Sequence, residues 1–583
     1  MIRRPALQSI SLFLSACCIA FAALPVSASY AQEFKPFLTI QTAGPAALAQ
    51  VFENIGGLVH PNAAAELQAQ LTPLKNIQGI TPDTPIGLAL QINDESPLFG
   101  LDAILVLPIA NLAAFNIPGM EQELMMFKMM MGQPTGGRHT IVSPVGNLFA
   151  YPKQGFFVVA TEGAAEFAAS ADPKTLFAEI ETAQSHATFG ITVNLNNVTL
   201  DDVKMVLEQV APMLAMSGIE TDPLEMLSML ETNAEEVLTP SQLRVLSDTD
   251  SFTLSLAIDP NTLNTTIATL HSAKPNTQQS IKYQNTKNAQ TKFSGFLPDT
   301  PKTVFSFLYL DYMTDAEIED IETSIEMLGE GFVEGILEGA GEGDGSAAAA
   351  LFASGFLQWL DSVVAHIDNH RLLDAVLSLD SDGIFLYADS IGKELLEELD
   401  VMLQAVLRNL GPEGVSLSSF IIGKIESDYE TVAGYSLSAL PDIFSDLPDI
   451  GGIPAAVREI SLSAYWAVKD DAAAFAIGPN AEQTESALKA ALTASDTPVL
   501  PKQIGVIAVK PLGEFLQKHF LPIMVMVGEA DIAQARTIFE KLAGADAGAR
   551  MVITQEFLND AALNKFRIDG RVFGIVPDFM PGH

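Results

Sequence analysis

Two histidines, His366 and His370, stand four residues apart, with Asp361 and Asp374 nearby. At that spacing on a helix two imidazoles share one face, as a zinc site requires. No third ligand follows from the spacing, and a polar helix face beside Trp359 is the plainer reading. Methionine supplies the other cluster of soft donors, in Met120–Met131 (MEQELMMFKMMM) and again in Met205–Met229. Met125 with Met129, and Met126 with Met130, form helical i, i+4 pairs. Thioethers so placed can hold Cu(I), or make an adaptable apolar surface for a ligand or partner. Phe127 and Leu124 lie among them and no histidine does, which favours an apolar groove over copper. Ordinary helix core is the simplest alternative.

The patterns of covalent and phosphate chemistry are missing. The chain has no Gly-x-Ser-x-Gly elbow, no His-Glu-x-x-His and no Walker loop. Ser-x-x-Lys occurs at Ser390–Lys393 and Ser486–Lys489, without the Ser-Asp-Asn and Lys-Thr-Gly partners that would make it catalytic. The run Gly339–Gly345 is glycine-rich, but Glu342 and Asp344 would oppose a phosphate. With Glu338 those acids could offer oxygen ligands to calcium, although their spacing does not match a calcium loop. No catalytic residue and no cofactor is assigned.

The charge narrows the partners. The 583 residues carry 31 basic against 71 acidic side chains, a formal net charge of −40. Such a surface repels phosphate backbones and anionic headgroups, so nucleic acid is excluded as a partner and adsorption to an anionic lipid surface is disfavoured. A protein or a hydrophobic ligand is left.

The elements that would hold such sites begin after a leader. Arg3 and Arg4, an apolar stretch over Ile10–Leu24, Pro25, and the small residues Ser29 and Ala31 have the order of a secretory signal cut after Ala31. The apolar stretch is short for a membrane span. Leu14-Ser15-Ala16-Cys17 offers a competing lipoprotein cut, which would tether the product through a lipid on Cys17. The residues after Cys17 stay apolar, which favours Ala31. Cys17 and Cys18 are the only cysteines, so a chain starting at Gln32 has no disulfide. No later stretch is long enough to span a membrane: Ala347–Leu360 reads as a buried helix, and Leu521–Val527 is shorter still.

Five runs read as strands: Phe37–Ile40, Ile86–Ile92, Phe189–Val193, Val304–Leu310 and Ile504–Val509. Asp-Thr-Pro precedes three of them, at Asp83, Asp299 and Asp496, suggesting a module repeated at about 200 residues. Helix signals follow four of the runs: Gly44, Pro45 and a stop at Gly56; Thr199 with Asp201 and Asp202; the capping box Thr314/Glu317; and Pro511. Strand-turn-strand-helix units recur at Asn147–Gly163, Ala375–Gly392 and Ser461–Ala481. Asp569-Gly570 predicts a closing hairpin between Phe566–Ile568 and Val572–Ile575. The polar, acid-free stretch Ala273–Thr291 reads as a loop or linker.

The fold class is therefore α+β, with repeated antiparallel sheet modules packed with helices. The expected divisions are the signal 1–31, modules 32–180, 181–295 and 296–500, and a C-terminal segment 501–583. The function expected first is a secreted or periplasmic, non-enzymatic envelope protein acting as a modular interaction scaffold. A carrier of a hydrophobic ligand such as lipid comes second, and a hydrolase with dispersed residues third. An apolar cavity, or lipid that co-purifies in native mass spectrometry, would favour the carrier, and a solid core throughout would sink it.

Overall fold

The computed structural model describes residues 34–573, apart from 203–238, 292–302, 440–460, 489–501, 525–531 and shorter segments between elements. The leader, the second methionine cluster and most of the Asp-Thr-Pro tripeptides lie outside the described residues. The chain divides into two units, Met1–Val237 with Thr249–Ala273 and Leu563–His583, and Leu238–Asp248 with Lys274–Ala562. The boundaries expected near 180, 295 and 500 all fall inside a unit. The architecture is α+β, and every strand pairing with a known register is antiparallel.

The first unit is built from β1 (Leu38–Thr42), α1 (Pro45–Val59), α2 (Ala64–Lys75), β2 (Ile86–Ile92), β3 (Leu101–Leu107) and α3 (Glu121–Met130). There follow β4 (His139–Ser143), β5 (Gly146–Lys153), β6 (Phe156–Ala160), α4 (Ala165–Ser170), α5 (Pro173–Leu176), α6 (Ala178–Ala183) and β7 (Phe189–Asn194). Strands β8 (Thr249–Ile258) and β9 (Thr265–Ala273) continue it. Their order across the sheet is β4-β5-β6-β3-β2-β1-β7-β8-β9. On one face Ala89, Ile104, Val106, Val158 and Ala160 form a core with Phe177 and Ile180 from the α5–α6 region. Gly87 and Gly190 flank β1 on either side, and a methyl at either would overlap Phe177 or Ile180. The helices can lie this close to the sheet because those two positions have no side chain.

The second unit holds α7 (Pro240–Asp248), α8 (Gln278–Asn288), β10 (Thr303–Tyr312), α9 (Asp315–Ala340), α10 (Asp344–His370), β11 (Leu372–Asp380), β12 (Gly383–Ala388) and α11 (Gly392–Leu410). It continues through β13 (Val415–Leu417), β14 (Phe420–Ile425), β15 (Val432–Ala439), β16 (Ser461–Lys469), β17 (Ala472–Gly478), β18 (Gln503–Ala508), α12 (Val509–Phe515), α13 (Ile532–Ala543) and β19 (Arg550–Phe557). The sheet order is β13-β14-β15-β16-β17-β12-β11-β10-β18-β19. Most of β20 (Ala561–Ile568), which pairs with β9, and all of α14 (Gly570–Phe573) return to the first unit.

The two units follow one succession. A first strand (β1 or β10) leads into a helical hairpin, α1–α2 or α9–α10. A strand hairpin follows, β2–β3 or β11–β12, then one helix, α3 or α11. A meander next folds back so that its last strand, β6 or β17, pairs with β3 or β12. The following strand, β7 or β18, returns to the other side of the first, with β8 or β19 beside it. The Asp-Thr-Pro tripeptides precede β2, β10 and β18, which hold three different places in this succession.

Four local expectations are corrected. Helix α1 runs through Gly56 to Val59; an interior glycine weakens a helix without ending it. Ala273–Thr291 contains helix α8, capped by Thr277, which accepts from the Ser280 amide at 3.3 Å. Asp569-Gly570 opens the helical turn α14: neither residue has positive φ, which the tight hairpin turn needs. Instead the Asp569 carboxylate accepts from the Arg571 amide at 3.0 Å. Ala347–Leu360 lies within α10, and its described side chains, from Ala350 on, are largely half-exposed, with Leu351 open to solvent. No described helix is long and apolar enough to cross a membrane.

Candidate apolar binding face

Strand β8 reads Thr-Asp-Ser-Phe-Thr-Leu-Ser-Leu-Ala-Ile. The usual half-buried strand puts its apolar row inside and its polar row in water. Here the rows are reversed. Thr253 and Ser255 are 0 % exposed, while Phe252 and Leu254 are 41 % and 37 % exposed. The hydroxyl row is covered by α6, which packs on β7, β8 and β9. Thr192 and Thr253 share a hydrogen bond of 2.8 Å, and Thr253 donates to the Glu179 carboxylate at 3.4 Å. Burial raises the Glu179 pKa above its ordinary range, and the Thr253 hydroxyl offsets part of that. Small hydroxyl side chains fit beneath a helix that approaches as closely as Gly190 allows, and Thr253 finds its partners there.

The opposite face is an apolar grid. Val193 faces Phe252, Ile191 faces Leu254, and Phe189 faces Leu256, which in turn faces Ile267. Leu38 and Ile40 of β1 extend the grid to Leu90 and Leu88 of β2. Toward β3, β5 and β6 this same face is closed by Ile109, Leu112, Phe115 and Met131. Toward β7, β8 and β9 it opens: Phe189 and Ile267 are exposed to nearly the same degree as Leu254. An exposed, contiguous apolar patch over buried polar side chains is the informative departure from ordinary burial. At the far edge His271 faces Phe252 and shares a 2.6 Å hydrogen bond with the Thr249 hydroxyl. Burial lowers the His271 pKa, which favours the neutral ring. The open part of the grid carries no charged side chain.

The ionisable groups with the most perturbed surroundings lie in the second unit. Lys282 of α8 reaches Asp311 of β10 at 2.8 Å and also pairs with Glu317 of α9; its side chain is 8 % exposed. Tyr309 donates to Asp311 at 2.8 Å and Thr286 donates to it at 3.1 Å. Glu317 also closes the capping box, accepting from the Thr314 amide and hydroxyl, both at 2.9 Å. Burial alone would lower the Lys282 pKa, but the two carboxylates outweigh it and raise the pKa. Burial and the second carboxylate raise Asp311, and burial raises Tyr309 and Tyr283. The arrangement ties α8, β10 and the start of α9 together and spends its donors and acceptors on one another. It is built as a latch.

The residues singled out from sequence are placed as follows. Met125 and Met129 lie on the exposed side of α3 and are largely open to solvent, while the neighbouring Leu124 is buried. Met126, Phe127 and Met130 belong to the same helix, and their side chains lie outside the described residues, as do those of Glu338, Glu342 and Asp344. His366 and His370 stack near the end of α10 with ring centroids 4.2 Å apart. Among the described residues no group of three His, Cys, Asp or Glu side chains is placed to hold a metal ion. The grid on β7–β9 was not foreseen. Its trace in the sequence is the alternation of Ser and Thr with Phe and Leu in β8, which fixes two faces but not which one is covered. No protein-family model, no curated protein and no solved structure matches the chain.

Proposed function

We propose that the protein is an exported, non-enzymatic carrier of a hydrophobic ligand, and that the open grid on β7, β8 and β9 holds the ligand's acyl chain. The observation carrying this is the reversed strand β8, with Thr253 and Ser255 fully buried and Phe252 and Leu254 in water. Four side chains with about two-fifths of a ~200 Å² surface open leave roughly 300 Å² of apolar face. A stable protein interface buries about 800 Å² on each partner. The size suits a chain-like ligand and falls short of what the scaffold reading needs. The net charge of −40 disfavours an anionic headgroup and a second copy of the chain alike. Export rests on the leader, whose cut after Ala31 delivers a cysteine-free protein to the periplasm or exterior. The shared succession of the two units supports reading them as an internal duplication.

The test is titration with an uncharged, single-chain monoacylglycerol, together with native mass spectrometry of protein purified from the cell envelope. Saturable binding is expected. The double variant Phe252→Ser/Leu254→Ser should weaken it at least about tenfold, since two large apolar contacts are worth well over 1.4 kcal/mol. Unchanged affinity in that variant, with the fold intact by circular dichroism, overturns the assignment. Intact mass of the secreted chain checks the cut, which should leave Gln32 as the first residue.

A further inference from the structure

The second unit presents an apolar face of its own. On β10, Phe305, Phe307 and Tyr309 form a ladder with ring centroids 6.1 and 5.9 Å apart. Across the sheet Phe307 faces Leu377 on one side and Gly505 on the other, and Gly505 faces Ile553. Phe305 faces Leu379 and Ile507. Leu377 and Ile553 are each 37 % exposed, the same as Leu254 in the first unit. A methyl at Gly505 would crowd the Phe307 ring, so glycine lets that ring lie low between the flanking strands. The ladder's lower end is closed by the Lys282 latch, and Tyr283 of α8 stands against Phe557 at 5.8 Å. The open rows above Tyr309 carry no charged side chain. The strands concerned, β18, β10 and β11 with β19 at the edge, hold the places that β7, β1, β2 and β8 hold in the first unit.

We infer that this face is a second acyl-chain site, so that one protein molecule carries two ligands. The inference takes its ligand chemistry from the proposed function, and the same two arguments select the occupant. The open rows are uncharged, and their exposed area is far below the ~800 Å² per partner of a stable protein interface. Duplicated sheets with one face left open in each provide two separate places for one kind of ligand.

The experiment is stoichiometry of monoacylglycerol bound to the full chain, by calorimetry and native mass spectrometry. The unaltered chain is expected to take two. Leu377→Asn/Ile553→Asn should leave one, and Phe252→Ser/Leu254→Ser should leave the other one. If the unaltered chain takes one ligand, lost in the β8 variant and kept in the β11/β19 variant, the second site is overturned and the proposed function stands. If the β11/β19 variant alone loses it, the second face stands and the β8 assignment falls. If nothing binds, both fall. A monoacylglycerol bearing a photoreactive diazirine gives a readout on the unaltered chain. Labels on Phe305–Tyr309, Leu377 or Met551–Ile553 are expected, and labels confined to β7–β9 overturn the second site.

Discussion

Strands β8 and β10 both bury polar side chains, and they do so at opposite cost. Beneath β8 the buried row is Ser and Thr, neutral groups that find partners across a strand or on the helix above, as Thr192 and Thr253 do. No countercharge is needed to satisfy them, and the apolar row is left free to face water. On β10 the buried group is Asp311, and a charge out of water needs a countercharge. It obtains one from Lys282, which lies 29 residues earlier in the chain on a helix that must dock in one position. Neutral burial needs only a hydrogen-bond partner, whereas charged burial needs a countercharge held in place. The charged group ties one end of β10 into a latch, while Phe305 and Phe307 of the same strand lie on its open face.

The latch is where the difference breaks most visibly. Lys282→Met removes the ammonium and leaves Asp311 and Glu317 side by side without it. The expected loss is about 3–5 kcal/mol, the cost of orphaning a buried charge, read as a lower urea midpoint at unchanged slope. A loss under ~1 kcal/mol would mean that the ammonium is dispensable and the carboxylates relax into water. Next in size is the close approach of helix and sheet in the first unit. Gly87→Ala places a methyl against the Phe177 ring, and overpacking of this kind costs about 1–3 kcal/mol. A neutral result would show that Phe177 can swing aside.

The contrast also has a pH signature. The Glu179 pKa is raised in the folded state by burial, above the ordinary carboxylate range. A raised carboxylate pKa means that the folded state holds its proton longer than the unfolded chain does. The associated stability is fully present below the unfolded pKa and is lost as pH rises through the folded one. Melting temperature should therefore fall as pH climbs out of the ordinary carboxylate range, and Glu179→Gln should flatten part of that fall. A slope identical in the two proteins would remove Glu179 as its source.

Much of this frame was legible before any coordinates. The five strand runs follow from short apolar stretches, and the capping box at Thr314 and Glu317 forms as its spacing predicts. Helix α8 was not legible, because its sequence Gln-Gln-Ser-Ile-Lys-Tyr-Gln-Asn-Thr-Lys-Asn has no apolar period. It is held by hydrogen bonds and the Lys282 pair, and hydropathy does not register those. The second role of Glu317 was hidden for the same reason: its partner comes from α8. The open face was hidden differently. Alternation in β8 separates Phe252 and Leu254 from Thr253 and Ser255 with certainty, yet it is symmetric as to which row is covered. Only the position of α6, set by Gly87 and Gly190 beneath Phe177 and Ile180, breaks that symmetry.

The smallest expected effect on stability is therefore the sharpest test of the comparison. In an ordinary strand Leu254→Ser would remove a core side chain, and large-to-small changes of that kind cost about 2–5 kcal/mol. If the exposed row of β8 is a surface, Leu254, 37 % exposed, gives up only part of a core side chain's burial, and the loss should stay below about 1.5 kcal/mol. The companion change Thr253→Val should behave in the opposite way. It deletes the hydroxyl that bonds Thr192 and Glu179 and leaves buried partners unsatisfied, at about 1–3 kcal/mol. Ordinary hydropathy ranks these two substitutions the other way round. Equilibrium urea unfolding of both variants decides the matter: a costly Leu254→Ser beside a neutral Thr253→Val would place the apolar row inside and close the proposed binding face.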